Sequence, residues 1–144
     1  MSSFPTFDIF CPLGWVTEES AFGWVVRPIL SPATSRSNVL FTATRIPVEV
    51  DLANAIAEVD QALMAAAGQV VVAAEEFSDE AVDRHVTFEK DGILLFQYQR
   101  CAVLSSKDER EHWFIEIQAT GALSQRDELS PSFRAVITKS TVEI

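Results

Sequence analysis

Three sets of side chains in this 144-residue sequence have the types and spacing to carry chemistry. The first is Asp83-x-His85, two groups on one face of an extended segment, with Glu76 or His112 as conceivable further metal ligands. Two donors fall short of the three or four that a zinc or transition-metal site uses, so an exposed strand histidine beside a compensating acid is the simpler reading and no metal is expected. The second set is His112 with Glu116, an alternation that suggests an acid-base pair, although a half-wet sheet face produces such neighbours routinely. Cys101 belongs with it as a conceivable nucleophile. It lies inside a strand, without a helix N-terminus or a sharp elbow to lower its pKa, and reads as a core thiol. None of the five glycines forms a G-x-G-x-x-G or P-loop pattern, so neither a nucleotide cofactor nor a catalytic residue is assigned.

The third set lies in "DGILLFQYQRCAVLS", residues 91 to 105, where a hairpin-type Asp-Gly opens a long strand. One face of that strand is Ile93, Leu95, Gln97, Gln99, Cys101, Val103; the other is Leu94, Phe96, Tyr98, Arg100, Ala102, Leu104. The face with two aromatics reads as the side covered by helices. If Gln97 and Gln99 align with Glu116 and Gln118 of the next strand, the other face is a mixed apolar and amide surface. Amides are uncharged and both donate and accept, so they satisfy a partner's polar groups without the desolvation cost of an ion. The plainer alternative is cross-strand hydrogen bonding on a solvated face.

The elements that must position these residues follow from periodicity. Thr6 to Phe10 alternates as a short strand ended by the "CPLGW" turn, after which Trp15 enters the core. "AFGWVVRP" (21 to 28) and "VLFTATRI" (39 to 46) read as two strands joined by a long Ser/Pro-rich loop. Asp51 is a good N-cap for a helix in which Leu52, Ile56, Val59 and Leu63 recur at helical spacing before Gly68 closes it. A meander follows over 69 to 77, 81 to 90, 93 to 104 and 112 to 120. Ser124 then caps a second helix to about Thr138, with Phe133, Val136 and Ile137 as its buried stripe, and "TVEI" can add a last strand. The fold class is α+β: one domain over 1–144, a single antiparallel sheet of about six to eight strands flanked by two main helices.

Composition narrows the function. A net charge of −10 repels a phosphate backbone, which argues against nucleic acid as a partner. The charge is uneven: residues 20 to 48 hold Arg27, Arg36 and Arg45 without an acid, and residues 49 to 91 hold eleven acids against Arg84 and Lys90. The longest apolar runs fall far short of the ~20 residues of a spanning helix, so no membrane insertion is expected. Met-Ser-Ser-Phe-Pro-Thr has neither a basic nor an apolar leader segment, which points to the cytoplasm, where Cys11 and Cys101 are more often thiols than a bridge.

"FDIFCPLGWV", the "VVRP" strand, "VLFTATRIPVEVDLANAIAEV", the Asp-Gly hairpin before "LLFQYQ", and "WFIEIQATG" with its closing helix together resemble the DcrB/LpqN group. That group shares a superfold with the photosystem II extrinsic PsbP subunit and the yeast Ran-binding import factor. The resemblance covers nearly the whole chain in element order and implies a noncatalytic binding scaffold. Its members include mycobacterial lipoproteins and cytosolic Eag chaperones, which shelter transmembrane segments on the concave sheet face. Unlike the lipoproteins, this chain has no apolar segment before Cys11.

The expectation is therefore a noncatalytic cytosolic binding or chaperone-like protein that holds a protein segment or a second copy of itself. Its sheet face would carry Gln97, Gln99, Glu116 and Gln118, with Arg27 and Arg45 on the rim, and a two-fold homodimer through that face is plausible. No cofactor is implied. The alternative is a small-molecule carrier or enzyme with a pocket between sheet and helix, lined by Trp15, Trp24 and Trp113. An enclosed cavity with convergent polar groups would favour the alternative, and an exposed sheet face the first reading.

Overall fold

Turns too short to cross a sheet force successive strands to pair antiparallel, and that constraint organises most of this chain. The structure, a computed structural model, describes residues 5–20, 23–29, 37–67, 70–77 and 81–144. Among them are strands β1 (Thr6–Asp8), β2 (Trp15–Ser20), β3 (Gly23–Pro28), β4 (Asn38–Ile46), β5 (Val70–Phe77), β6 (Ala81–Lys90), β7 (Ile93–Ser105), β8 (His112–Ala122) and β9 (Thr141–Glu143). Helix α1 (Leu52–Ala66) separates β4 from β5, and α2 (Arg126–Lys139) follows a 3₁₀ turn at Leu123–Gln125. Seven strands form one antiparallel sheet in the order β2-β3-β4-β8-β7-β6-β5, while β1 pairs with β9.

Local chemistry sets several of these boundaries. Asp91 and Gly92 sit at φ 55° and 79°, the mirror-image turn that the Asp-Gly pair favours, and Lys90 faces Ile93 across it. Asp51 caps α1 by accepting the Asn54 N–H at 2.9 Å. At the other end of α1 the Ala67 N–H donates to the Leu63 carbonyl; Gly68 lies outside the described residues, as do Phe22 and residues 30–36 of the long loop. In "CPLGW" the Trp15 N–H donates to the Pro12 carbonyl at 3.0 Å and Gly14 takes φ 85°.

Two local expectations are corrected. The sequence reading places no strand between the "CPLGW" turn and residue 21, yet residues 15–20 form strand β2: Trp15 packs against the core, and the polar run Thr17-Glu18-Glu19 forms the sheet's edge strand against β3. Solvent on one side lets an edge strand be polar, and this weakened its sequence signal. Ser124 lies in the 3₁₀ turn, and α2 starts two residues later without a side-chain cap, with Asp127 and Glu128 in its first turn complementing the helix dipole.

Residues directly opposite in neighbouring strands share a face, and the two faces differ in character. On one, Val26, Val39, Phe41, Phe96, Tyr98, Ile117 and Ala119 meet Phe133, Val136 and Ile137 of α2. Trp15 and Trp24 pack against this cluster. Trp113 shares the face and is buried. Gly121 permits the close approach of α2, since a Cβ there would stand 2.7 Å from Leu129 Cδ1. On the other face α1 lays Ala55 and Ile56 over Val82, Cys101 and Phe114, and Leu63 over Val86, Phe88 and Leu95.

This second face is the one that carries Gln97 and Gln99. The expectation that helices cover only the aromatic face is therefore corrected: α2 covers that face and α1 lies across the amide face. The cause is connectivity. β4 and β5 run in the same direction with three strands between them, so the segment joining them must pass over one face of the sheet.

Candidate functional site

The pairing of β7 with β8 sets Gln97 opposite Thr120, Gln99 opposite Gln118 and Cys101 opposite Glu116. The four central site candidates thus share one face of adjacent strands, with Gln99 alone directly opposite one of the other three, Gln118. Across β6 the same row continues from Gln99 to Arg84, and across β4 from Gln118 to Leu40. α1 roofs the row, and beside the helix a cleft of about 560 Å³ opens over it. Gln97, Gln99, Glu116, Gln118 and Phe114 form its floor, and Glu58, Val59, Ala62 and Leu63 of α1 form a wall opposite Thr44 and Ile46 of β4. A further recess of about 480 Å³ shares Leu63, Ala66 and Gln97 and runs on to Lys90.

The floor carries two separate hydrogen-bonded groups. The Gln97 amide donates to Thr120 Oγ1 at 2.8 Å, Gln99 Nε2 donates to Gln97 Oε1, and Gln118 Nε2 donates to Glu116 Oε2 at 2.7 Å. Gln99 is only 2% exposed, and its Oε1 has no hydrogen-bond partner. Arg84 Nε and Nη1, on the residue of β6 paired directly with Gln99, are likewise buried without a hydrogen-bond partner, so the unpaired acceptor and donors belong to neighbouring residues.

Arg84 was missing from the candidates. It is 1% exposed, with Nη2 2.7 Å from Asp60 Oδ1 of α1 and Nε 3.8 Å from Glu75. The signal was available in the alternation Val82, Arg84, Val86, Phe88, which puts the arginine on an apolar face where it must find an acid. Glu58 was missed because it reads as the wet side of its helix.

Arg27 and Arg45 do not rim the cleft. Arg27 shares the amide face but lies near the β2 edge in an exposed pair with Glu18 at 2.7 Å, which lowers the Glu18 pKa through hydrogen bonding. Arg45 sits opposite Trp113, on the α2 face, 3.6 Å from Glu111. No tryptophan lines the cleft, because Trp15, Trp24 and Trp113 all belong to the opposite face.

The other chemistry-bearing groups resolve individually. Asp83 holds Arg100 through two oxygens at 2.7 and 2.9 Å, and the His85 ring packs edge-on to Tyr98. No group of three potential metal ligands lies together among the described residues, which do not include the Glu76 side chain. His112 and Glu116 are four strand positions, roughly 13 Å, apart. Both cysteines are free thiols, Cys11 exposed and Cys101 buried. Burial pushes the Cys101 thiol up to about 12, with Glu116 adding to the effect, so it is no thiolate at neutral pH.

Burial also raises the pKa of Glu116 from the ordinary 4.5. A raised folded-state value means that the fold favours the protonated acid. The associated stability is present below the unfolded value and is lost as pH rises through the folded one. Glu116→Gln removes that loss. Thermal melts are expected to show the variant more stable than the parent at neutral pH and no more stable near about pH 4; equal melting temperatures at neutral pH would mean that Glu116 carries no burial penalty.

No family model and no curated protein matches the chain. Solved structures do, these three among them. LpqN of Mycobacterium tuberculosis, described as involved in cell envelope biogenesis, aligns at TM-score 0.74 and 14% identity over 98% of this chain and 85% of its own. Cyanobacterial PsbP (CyanoP) from Synechocystis sp. PCC 6803 aligns at TM-score 0.68 and 13% identity, covering 95% and 86%. A Pseudomonas aeruginosa protein of unknown function, PA94, described as a putative regulator, aligns at 0.50 and 8% identity, covering 94% and 82%. No helix among the described residues is long and apolar enough to cross a membrane. At these identities the likeness is one of architecture, and the chain has the α+β, PsbP-like fold of LpqN and CyanoP.

Proposed function

We propose that this is a noncatalytic binding protein whose ligand seats in the cleft between α1 and the amide-bearing sheet face. The observation that carries the reading is the cleft itself, in which Gln97, Gln99, Glu116 and Gln118 share one floor beside α1. The cleft's size falls within the range of roughly 300–1,000 Å³ usual for ligand sites, with apolar walls and a few placed polar groups. Amides neither give up nor take protons at neutral pH, which suits holding a ligand better than transforming it. Because α1 lies over the amides, a ligand that inserts beside the helix fits them better than a flat partner, or a second copy, laid on an open sheet.

Ala62 is exposed and lines the cleft, so Ala62→Trp would project an indole into it without disturbing the buried stripe of α1. Nile red, a neutral dye that brightens in apolar sites, is expected to brighten with the parent protein and several-fold less with the variant, at equal melting temperature. Equal brightening with both proteins would place dye uptake elsewhere and reject the cleft.

A further inference from the structure

We infer that a second site lies apart from the cleft, at the rim of the opposite face: a recess between β6, β7 and α2 that takes a tetrahedral oxyanion, either free phosphate or the phosphate group of a monoester, on Arg134 and His85. The recess measures about 100 Å³ and is lined by Asp83, His85, Tyr98, Arg100, Arg134 and Thr138. Sites that enclose a whole ligand run to roughly 300–1,000 Å³, so this one has room for a head group alone. Strand register builds its floor, with His85 opposite Tyr98 and Asp83 opposite Arg100, and one face of α2 carries Arg134 and Thr138 over it.

The first reason is a cation left over. The chain holds 21 acids against 11 lysines and arginines, so acid partners are plentiful. Arg27, Arg45, Arg84, Arg100, Arg110 and Arg126 each stand 3.9 Å or less from a carboxylate oxygen. Among the described arginines Arg134 alone has no such partner. Its guanidinium carbon lies 5.8 Å from the centre of the Tyr98 ring, a contact that orients the group and leaves its N–H donors for a ligand.

The second reason is what surrounds it. His85 is exposed and packs edge-on to the same ring, 4.2 Å centre to centre. Burial and then the Arg134 charge lower the His85 pKa, while Asp83 opposes them. Asp83 already gives both carboxylate oxygens to Arg100, so its charge is compensated within the recess. On the far side of β6, β5 sets Ala74 opposite His85 and Glu76 opposite Asp83. A dianion between Arg134 and His85 gains charge-assisted hydrogen bonds and removes their mutual repulsion.

Titration of the full chain by amide chemical shift tests the site, at constant ionic strength set by chloride. At about pH 8, where phosphate, methyl phosphate and sulfate are dianions, each is expected to shift resonances around His85 and Arg134 with a dissociation constant on the order of 1 mM, and acetate to bind about tenfold more weakly. Arg134→Gln should weaken the dianions about tenfold, and Arg134→Lys should keep most of their affinity. Both variants should melt with the parent, since the side chain is exposed and holds no ion pair. Sulfate keeps its charge at lower pH, so its affinity should rise several-fold as pH falls through the lowered His85 value, below the ordinary 6.5, and His85→Asn should abolish that rise. Dianions that bind Arg134→Gln as tightly as the parent, or no better than acetate, overturn the site. Sulfate affinity independent of pH overturns the role of His85, and binding of inorganic phosphate without methyl phosphate overturns the monoester assignment.

Discussion

Asp60→Ala is expected to destabilise the protein by about 3 kcal/mol, and adding Arg84→Met is expected to recover most of that loss. Arg84 is 1% exposed, so its guanidinium depends on Asp60 at 2.7 Å and, more weakly, on Glu75 at 3.8 Å. Removing the nearer acid leaves a buried charge with one distant partner, and an uncompensated buried charge costs more than an intact pair contributes. The side chains of Asp60 and Glu75 retain 35% and 39% exposure, so water takes part in the compensation and the cost falls at the low end of the usual range. Methionine has a similar length and fills the space with apolar atoms, which suits the flanking Val82 and Val86.

Urea unfolding of the parent, the single variant and the double variant at constant m-value measures the effect. A single variant within about 0.5 kcal/mol of the parent would mean that the guanidinium is solvated despite its burial.

Much of this architecture could be read from the sequence because local and tertiary preferences agree. Asp51 caps α1, Asp91-Gly92 turns β6 into β7, and Phe133, Val136 and Ile137 form the stripe of α2, each at a position set by short-range chemistry. The meeting of Gln97, Gln99, Glu116 and Gln118 was legible as far as the β7–β8 register could be guessed. What sits above them was not. Both faces of β7 are apolar at Leu95 and Phe96, so periodicity offers no preference for either helix, and the choice belongs to a crossover spanning three strands.

Arg45 shows the same limit from the other side. Its parity along β4 matches Val39 and Phe41, which face α2, yet without the register neither face has a name. Arg84 differs in kind, since its alternation with valines and Phe88 was visible. Its meaning appears only when charge is read by strand face, where an arginine among valines must find an acid.

The larger expected loss of stability lies on the opposite side of the sheet, where Phe133→Ala should cost about 4 kcal/mol. Phe133 is 0% exposed, and its ring lies 5.5 Å from Phe96, 6.0 Å from Trp15 and 6.5 Å from Tyr98, centre to centre. Those neighbours are rings on strands fixed by ladders on both sides or, for Trp15, on the paired edge, so they cannot collapse into the space, and the cavity adds to the lost transfer energy. A sheet that leaves one face partly open for a ligand forgoes burial there, and the face under α2 has to supply the difference. The variant should therefore lose stability in urea while still brightening Nile red below its unfolding transition, because no cleft residue touches the site of change. If Phe133→Ala abolished dye uptake at denaturant concentrations where the chain is still folded, the two faces would be coupled through the sheet, and the division into a sealed face and a binding face would fail.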